Sequence, residues 1–338
     1  MGDRPLGENG AYFTLWPLRV PPVWVAVGAG LLLLPPYWFM AQFGSYPSRT
    51  ADELQVDVFL VRMLSVVVPY VVWMLFRGIA RAQHELRALR PVLGLSEDEL
   101  EALAGSLASC TRRRLATLLG VGALLALFFQ QRNSGRLSWI LEAPSAADFW
   151  LLICGTTGWT VTLIAVWFAL RNANAFRRLA SDVERLDPFD IDPIRPFGRF
   201  GLRIALYMMG GVAIFEACGV FLEPSVLGGP RILIASTAVV FAAIIFLLPT
   251  WGIHQQQRRR KADLLQQVQG KLAACPEPKD GVLRPLLDLL EYRDRIRRIN
   301  EWPFETSEVL RLALYMVLPV ASWVAAALVQ HLLDRLLG

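Results

Sequence analysis

The chain has 338 residues, 54% of them apolar and 19% charged, with a mean hydropathy of +0.41. Soluble domains carry about 25% charged residues and fewer apolar ones, so a soluble enzyme, a disordered chain, a collagen-like repeat and a disulfide scaffold are all disfavoured together. The net charge of +5 gains meaning only once it is resolved along the chain.

A spanning helix takes roughly 20 mostly apolar residues. The chain offers about seven such stretches, at 22–41, 58–76, 113–131, 149–170, 202–222, 232–251 and 309–332. The fold class is therefore all-α: a polytopic transmembrane helical bundle, one integral membrane domain over residues 1–338. The first stretch reads as a retained anchor rather than a cleaved signal peptide, because Pro35-Pro36 interrupts it and no clean small-residue cleavage site follows. The third is the weakest, since the apolar run Leu115–Phe129 falls well short of a ~30 Å hydrocarbon core at ~1.5 Å per residue. It borrows length from Gln130-Gln131 or thins the bilayer locally.

Lys and Arg fall very unevenly. Segments 1–21, 77–114, 171–203 and 254–311 hold 28 of them, the alternate segments hold five, and Arg62 lies within a span. The positive-inside rule then expects a cytoplasmic N-terminus, an outer C-terminus and a plasma (inner) membrane location. The same basic segments imply anionic inner-leaflet lipids as partners and need no nucleic acid to explain them.

Three cytoplasmic segments, 77–114, 171–201 and 254–307, read as helix. Residues 78–90 continue out of the second span. Ser96-Glu97-Asp98-Glu99 is a capping box that starts a helix running to Arg114. Farther on, Leu264, Leu265, Val268 and Leu272 recur at helical spacing, as do Leu283, Leu286, Leu287, Leu290 and Ile296 after the break at 275–281. This is a helical hairpin with an apolar stripe per arm. It packs on its own neighbours or docks a cytoplasmic protein partner or a second copy.

An internal repeat ties spans to cytoplasmic segments. Leu202-Arg203-Ile204-Ala205-Leu206-Tyr207-Met208 and Leu310-Arg311-Leu312-Ala313-Leu314-Tyr315-Met316 differ at one conservative position, and each follows a Pro-Phe pair, at 196–197 and 303–304. Trp73, Trp167 and Trp251 each close an inward-running span, and Arg77 and Arg171 follow the first two by four residues. Trp at the interface and Arg reaching towards the phosphates would fix each junction in depth, with Arg203 and Arg311 serving the outward spans. Pro-Phe stops the preceding helix and re-aims the chain.

Ionisable residues inside spans draw suspicion first. Arg62 and Glu216 lie at matching depths near the outer ends of spans 2 and 5, so an ion pair locking two helices and a polar path are the two readings. Thr156, Thr157, Thr160 and Thr162, with Gly155 and Gly158, make span 4 unusually small and polar; the readings are close helix packing or the lining of a path. Gly210-Gly211 reads as another contact point or flexible spot, and Pro69, Pro249 and Pro319 as kinks. The three His are scattered without metal-ligand spacing, and the four Cys form no C-x-x-C, so no metal, cofactor or disulfide is expected. Hydrolase, zincin and P-loop signatures are missing too, and no enzymatic activity is expected.

Seven spans, an inner N-terminus, an outer C-terminus and long cytoplasmic helix extensions together resemble, in topology, the insect odorant and gustatory receptor type of ion channel. The resemblance implies a channel and transfers no residue roles. The residues themselves lead instead to a non-enzymatic scaffold or sensor with a cytoplasmic helical interaction layer. An ion channel or small-solute transporter, with a polar path near Arg62, Glu216 and span 4, is the alternative.

Overall fold

The computed structural model describes residues 12–14, 24–32, 51–134, 146–181, 183, 189–190, 192–222, 228–274, 283–299, 302, 310–311, 313–315 and 317. Within them the chain is almost entirely helical. In order come α1 (24–32), α2 (Ala51–Ala88), α3 (Arg90–Leu93), α4 (Glu97–Ala108), α5 (Arg112–Ser134), α6 (Ala146–Ser181), α7 (Arg195–Leu222), α8 (Gly228–Ala273) and α9 (Leu283–Arg297). One departure from an all-α chain is a short antiparallel pair, β1 (Tyr12–Thr14) with β2 (Ser109–Thr111), in the register Phe13 to Cys110.

Five stretches are long and apolar enough to cross a membrane: Leu60–Ala88, Arg112–Gln131, Asp148–Ser181, Asp192–Cys218 and Ser236–Ala273. They fall on the second to sixth of the sequence-predicted spans, the weak third included. The predicted spans at 22–41 and 309–332 are described only at 24–32 and in parts of 310–317, so the count of seven lies outside the described residues.

Helices α2, α6, α8 and α7 form a ring in which each packs on its two neighbours. Outside it, α5 lies on α6, α4 on the polar end of α2, and α9 on α8. Lipid gives apolar helices little hydrophobic reason to associate, so close van der Waals approach at small residues must supply the attraction. Glycines stand at several of these seams. A methyl group on Gly158 of α6 would lie 2.8 Å from Leu64 of α2, and one on Gly122 of α5 would lie 2.7 Å from the Thr160 backbone of α6. On Gly201 of α7 it would meet the Phe246 carbonyl of α8 at 2.8 Å, and on Gly252 of α8 the Arg177 carbonyl of α6 at 2.8 Å.

Both described in-helix prolines sit where a neighbouring glycine can approach. Pro69 lacks the N–H that would bond the Ser65 carbonyl. Gly30 of α1 lies over that spot, where a methyl would be 2.9 Å from the Pro69 ring and 3.1 Å from the Ser65 oxygen. Gly201 meets Pro249 of α8 in the same way, at 3.1 Å. Both helices continue through their prolines. Pro319 lies outside the described residues.

At the basic end of the ring the helices run on as one packed layer. Leu86, Leu89, Leu107, Phe176, Phe197 and Phe200 are almost wholly buried there. Phe176 stacks on Phe200 at 4.2 Å and meets Phe197 edge-on at 5.9 Å. Pro196-Phe197 thus lies inside the first turn of α7 rather than ahead of it. Proline is tolerated there because its missing N–H has no intrahelical partner to lose, and Phe197 is a core residue.

The capping box forms as the sequence predicts. Ser96 Oγ accepts from Glu99 N at 3.3 Å, and the Ser96 N–H donates to Glu99 Oε2 at 3.0 Å. Its helix, however, ends at Ala108 instead of reaching Arg114. Ser106 and Ser109 turn their hydroxyls back onto the Leu103 and Ser106 carbonyls, at 2.6 and 3.0 Å. Such local bonds compete with helix propagation. Thr111 then accepts the Arg114 N–H at 3.4 Å and starts α5 afresh.

The predicted hairpin is α8 against α9, closed on itself. Val268, Ile296 and Ile299 are buried together with Leu264, Leu265 and Leu272 beside them, and Lys261 Nζ donates to the Ile299 carbonyl at 3.1 Å. Leu287 and Tyr292 remain exposed on either flank of the α9 stripe, Tyr292 with its ring 6.0 Å from that of Phe189.

Candidate functional site

The basic-end layer concentrates charge in an apolar setting. Glu85 of α2 is 1% exposed, yet ionised partners reach it from α7. Arg203 Nη1 donates to Glu85 Oε1, and Arg199 Nη2 stands 3.4 Å from Oε2. The second contact is an ion pair without a hydrogen bond, since Oε2 accepts none among the described residues. Burying one carboxylate between two arginines makes the α2–α7 junction selective in geometry, because a buried charge is tolerated only while its partners hold.

A second arginine fixes α4. Arg171 of α6 donates through Nη1 to the Ser109 carbonyl and through Nη2 to the Ser106 carbonyl, the open C-terminal end of α4. Its guanidinium lies 5.2 Å from the Trp167 ring centre and 5.8 Å from that of Phe168. A cation at a helix C-terminus is favoured by the dipole, and the aromatic faces add attraction. From the other side, Gln83 donates to the Ala104 carbonyl at 3.0 Å, and Arg87 forks onto Glu101 at 2.7 and 2.9 Å. The last pair is half exposed and adds geometry more than stability.

Inward of this layer, α2, α6 and α7 enclose a small cavity of about 20 Å³, lined by apolar groups such as Met74, Phe168 and Phe200 and by Asn172. Asn172 is 3% exposed, and its Oδ1 has no hydrogen-bond partner among the described residues. No cluster of three potential metal ligands occurs among the described residues.

The sequence-predicted residues divide by surroundings. Arg62 is exposed on α2, while Glu216 on α7 is 2% exposed. Thr160 is buried against Gly122, whereas Thr156, Thr157 and Thr162 are half-buried on α6. Trp73 is half-buried between Tyr70 at 5.7 Å and Tyr207 at 5.3 Å. Trp167 is half-buried beneath Arg171, and Trp251 is 47% exposed with Trp302 6.4 Å away. His254 stacks on Trp302 at 4.1 Å. Arg77 and Arg311 are exposed; Arg171 and Arg203, by contrast, have the intramolecular partners just described. Gly210 and Gly211 receive the Tyr70 ring, whose hydroxyl donates to the Tyr207 carbonyl at 2.7 Å.

Sequence reasoning passed over Glu85, Arg199 and Asn172. The signal was present. Ala82, Leu86 and Leu89 form the buried stripe of α2, and Glu85 interrupts it at helical spacing. Asn172 interrupts the stripe Ala165, Phe168, Ala169, Ala173 and Phe176 of α6 in the same manner. No protein-family profile, curated protein or solved structure matches this chain.

Proposed function

We propose that the chain is a multi-pass plasma-membrane protein that acts as a non-enzymatic scaffold or sensor, its cytoplasmic helical layer engaging a protein partner or a second copy. One observation carries the reading: α2, α6 and α8 run for 38, 36 and 46 residues without a break, from apolar stretches into the packed polar-end layer. A stiff helix shared by both regions transmits a shift in either to the other. The exposed Leu287 and Tyr292, on either flank of the packed stripe of α9, are the side chains offered to the partner. Photo-crosslinkers at Leu287 and Tyr292 in cells should give discrete adducts, and the same groups at the lipid-facing Leu124 should not. Equal labelling from all three positions overturns the reading.

A second reading, a channel or small-solute transporter, draws support from the burial of Glu216 within an apolar helix. An intramembrane carboxylate is costly and often functional. Reversing the charges at Arg62 and Glu216 separately and together tests its pairing. Two silent single variants remove the pair; loss in each single and recovery in the double supports it.

A further inference from the structure

The N-terminal third of α7 carries a row of arginines. Arg195, Arg199 and Arg203 follow at four-residue spacing and so share one helix face. Only Arg195 lies in the first turn of α7, where the helix dipole disfavours a cation, and Asp192 just ahead of it takes that charge. Arg81 adds to the surplus: it lies one turn ahead of Glu85 on α2, which packs against α7.

Two carboxylates face these four guanidiniums in the described ion pairs. Asp192 takes Arg195 at 3.0 Å, and Glu85 is shared by Arg203 and, at 3.4 Å, Arg199. The Nε atoms of Arg81 and Arg199 are buried without a hydrogen-bond partner among the described residues. The Arg199 and Arg203 side chains remain 43% and 34% exposed, so an anion outside the layer has access to them. We infer that this arginine seam between α2 and α7 binds a phosphate group.

The chemistry fits on three counts. A guanidinium offers a planar fork that matches two phosphate oxygens, which a hydrated point charge does not. Glu85, buried on the inner side, fixes the Arg203 plane and leaves its outer edge to the ligand. A phosphate also balances the surplus of arginines around Glu85. The seam lies where the apolar runs of α2 and α7 give way to basic residues, at Phe76-Arg77 and Leu202-Arg203. That is the depth of a phospholipid headgroup, and it makes an anionic lipid the first source to test and free phosphate the second. The inference stands apart from the scaffold reading, since it concerns a ligand and not a protein partner.

The test is thermal unfolding of the full chain in neutral detergent with added phosphatidylglycerol, phosphatidylcholine or inorganic phosphate. Phosphatidylglycerol should raise the midpoint by about 3 °C or more and phosphatidylcholine should not. Arg199→Gln and Arg81→Gln should each lose at least half of that shift, while Arg258→Gln on the exposed face of α8 should keep it. Arg199→Lys preserves charge without the fork; should Arg199→Gln fold poorly, the lysine variant's reduced shift carries the comparison. Native mass spectrometry of the same samples counts retained lipid independently of the melting curve. A shift from inorganic phosphate that also falls in the arginine variants supports the site with a free anion as its source. No shift from either phosphate source, or a full shift in both glutamine variants, overturns it.

Discussion

Tyr70 joins two helices through a fit that depends on what is absent opposite it. Its ring lies over Gly210 and Gly211, where a Cβ on Gly210 would overlap the hydroxyl, and that hydroxyl bonds the Tyr207 carbonyl at 2.7 Å. Gly210→Leu should therefore force the ring out and cost about 1–3 kcal/mol of bundle stability by overpacking. Tyr70→Phe should cost about 1 kcal/mol through the lost hydrogen bond. The double variant should fall short of their sum because the two residues touch. Unfolding in mixed micelles measures all three. Glu99 and Glu101 supply a pH test at the same scale. The Ser96 N–H and hydroxyl hold Glu99 below the usual carboxylate range, and the Arg87 fork does the same for Glu101. A carboxylate depressed on folding stabilises fully above its unfolded value, and that contribution fades as the pH falls through the folded one. Hydrogen-exchange protection of α4, corrected for intrinsic rates, should stay level from pH 7 to about 5 and decline below about 4. In Glu101→Gln part of that pH dependence should vanish. The sequence pointed to the capping box because its residues are contiguous. The tyrosine notch was hidden because its halves are 137 positions apart.

At the scale of elements, α4 is the informative case. Its start was legible in Ser96 and Glu99, whereas its end at Ala108 was not, because the residue that stabilises it comes from another helix. Arg171 adds charged donors to the Ser106 and Ser109 carbonyls, the first of which already accepts from Ser109, and so makes the early stop favourable. Arg171→Met keeps a long stem beside Trp167 and removes the donors. We expect it to lower the cost of opening the α4–β2 junction by about 1.5–3 kcal/mol, the range for a hydrogen bond to a charged group. Limited trypsin digestion reads this at Arg112–Arg114: cleavage there should rise several-fold while the global unfolding midpoint moves little. Unchanged cleavage means that α4 is held by its apolar stripe alone. Proline and glycine likewise pair between elements. Pro69 and Pro249 looked like kinks in sequence, and their glycine neighbours Gly30 and Gly201 could be found only after the helices were brought together.

At the scale of the molecule, the five apolar helices among the described residues follow from runs of about 20 apolar residues, a signal strong enough to survive without tertiary information. The ring order of α2, α6, α8 and α7 does not follow from those runs, since every lipid-facing stripe resembles the next. What distinguishes some of the helices is their polar-end continuation, where Glu85 with Arg199 and Arg203 pairs α2 with α7 by charge and Arg171 ties α6 to the end of α4. The proposed role rests on that layer and not on a path through the ring, whose small cavity is lined mainly by apolar side chains. The direct measurement is flux in proteoliposomes holding the purified full chain. With sodium, potassium, chloride and proton gradients imposed, the account predicts leakage no greater than in protein-free vesicles. Conductance or uptake that disappears in a Glu216→Ala or Thr160→Val variant would contradict it and establish the chain as a channel or transporter.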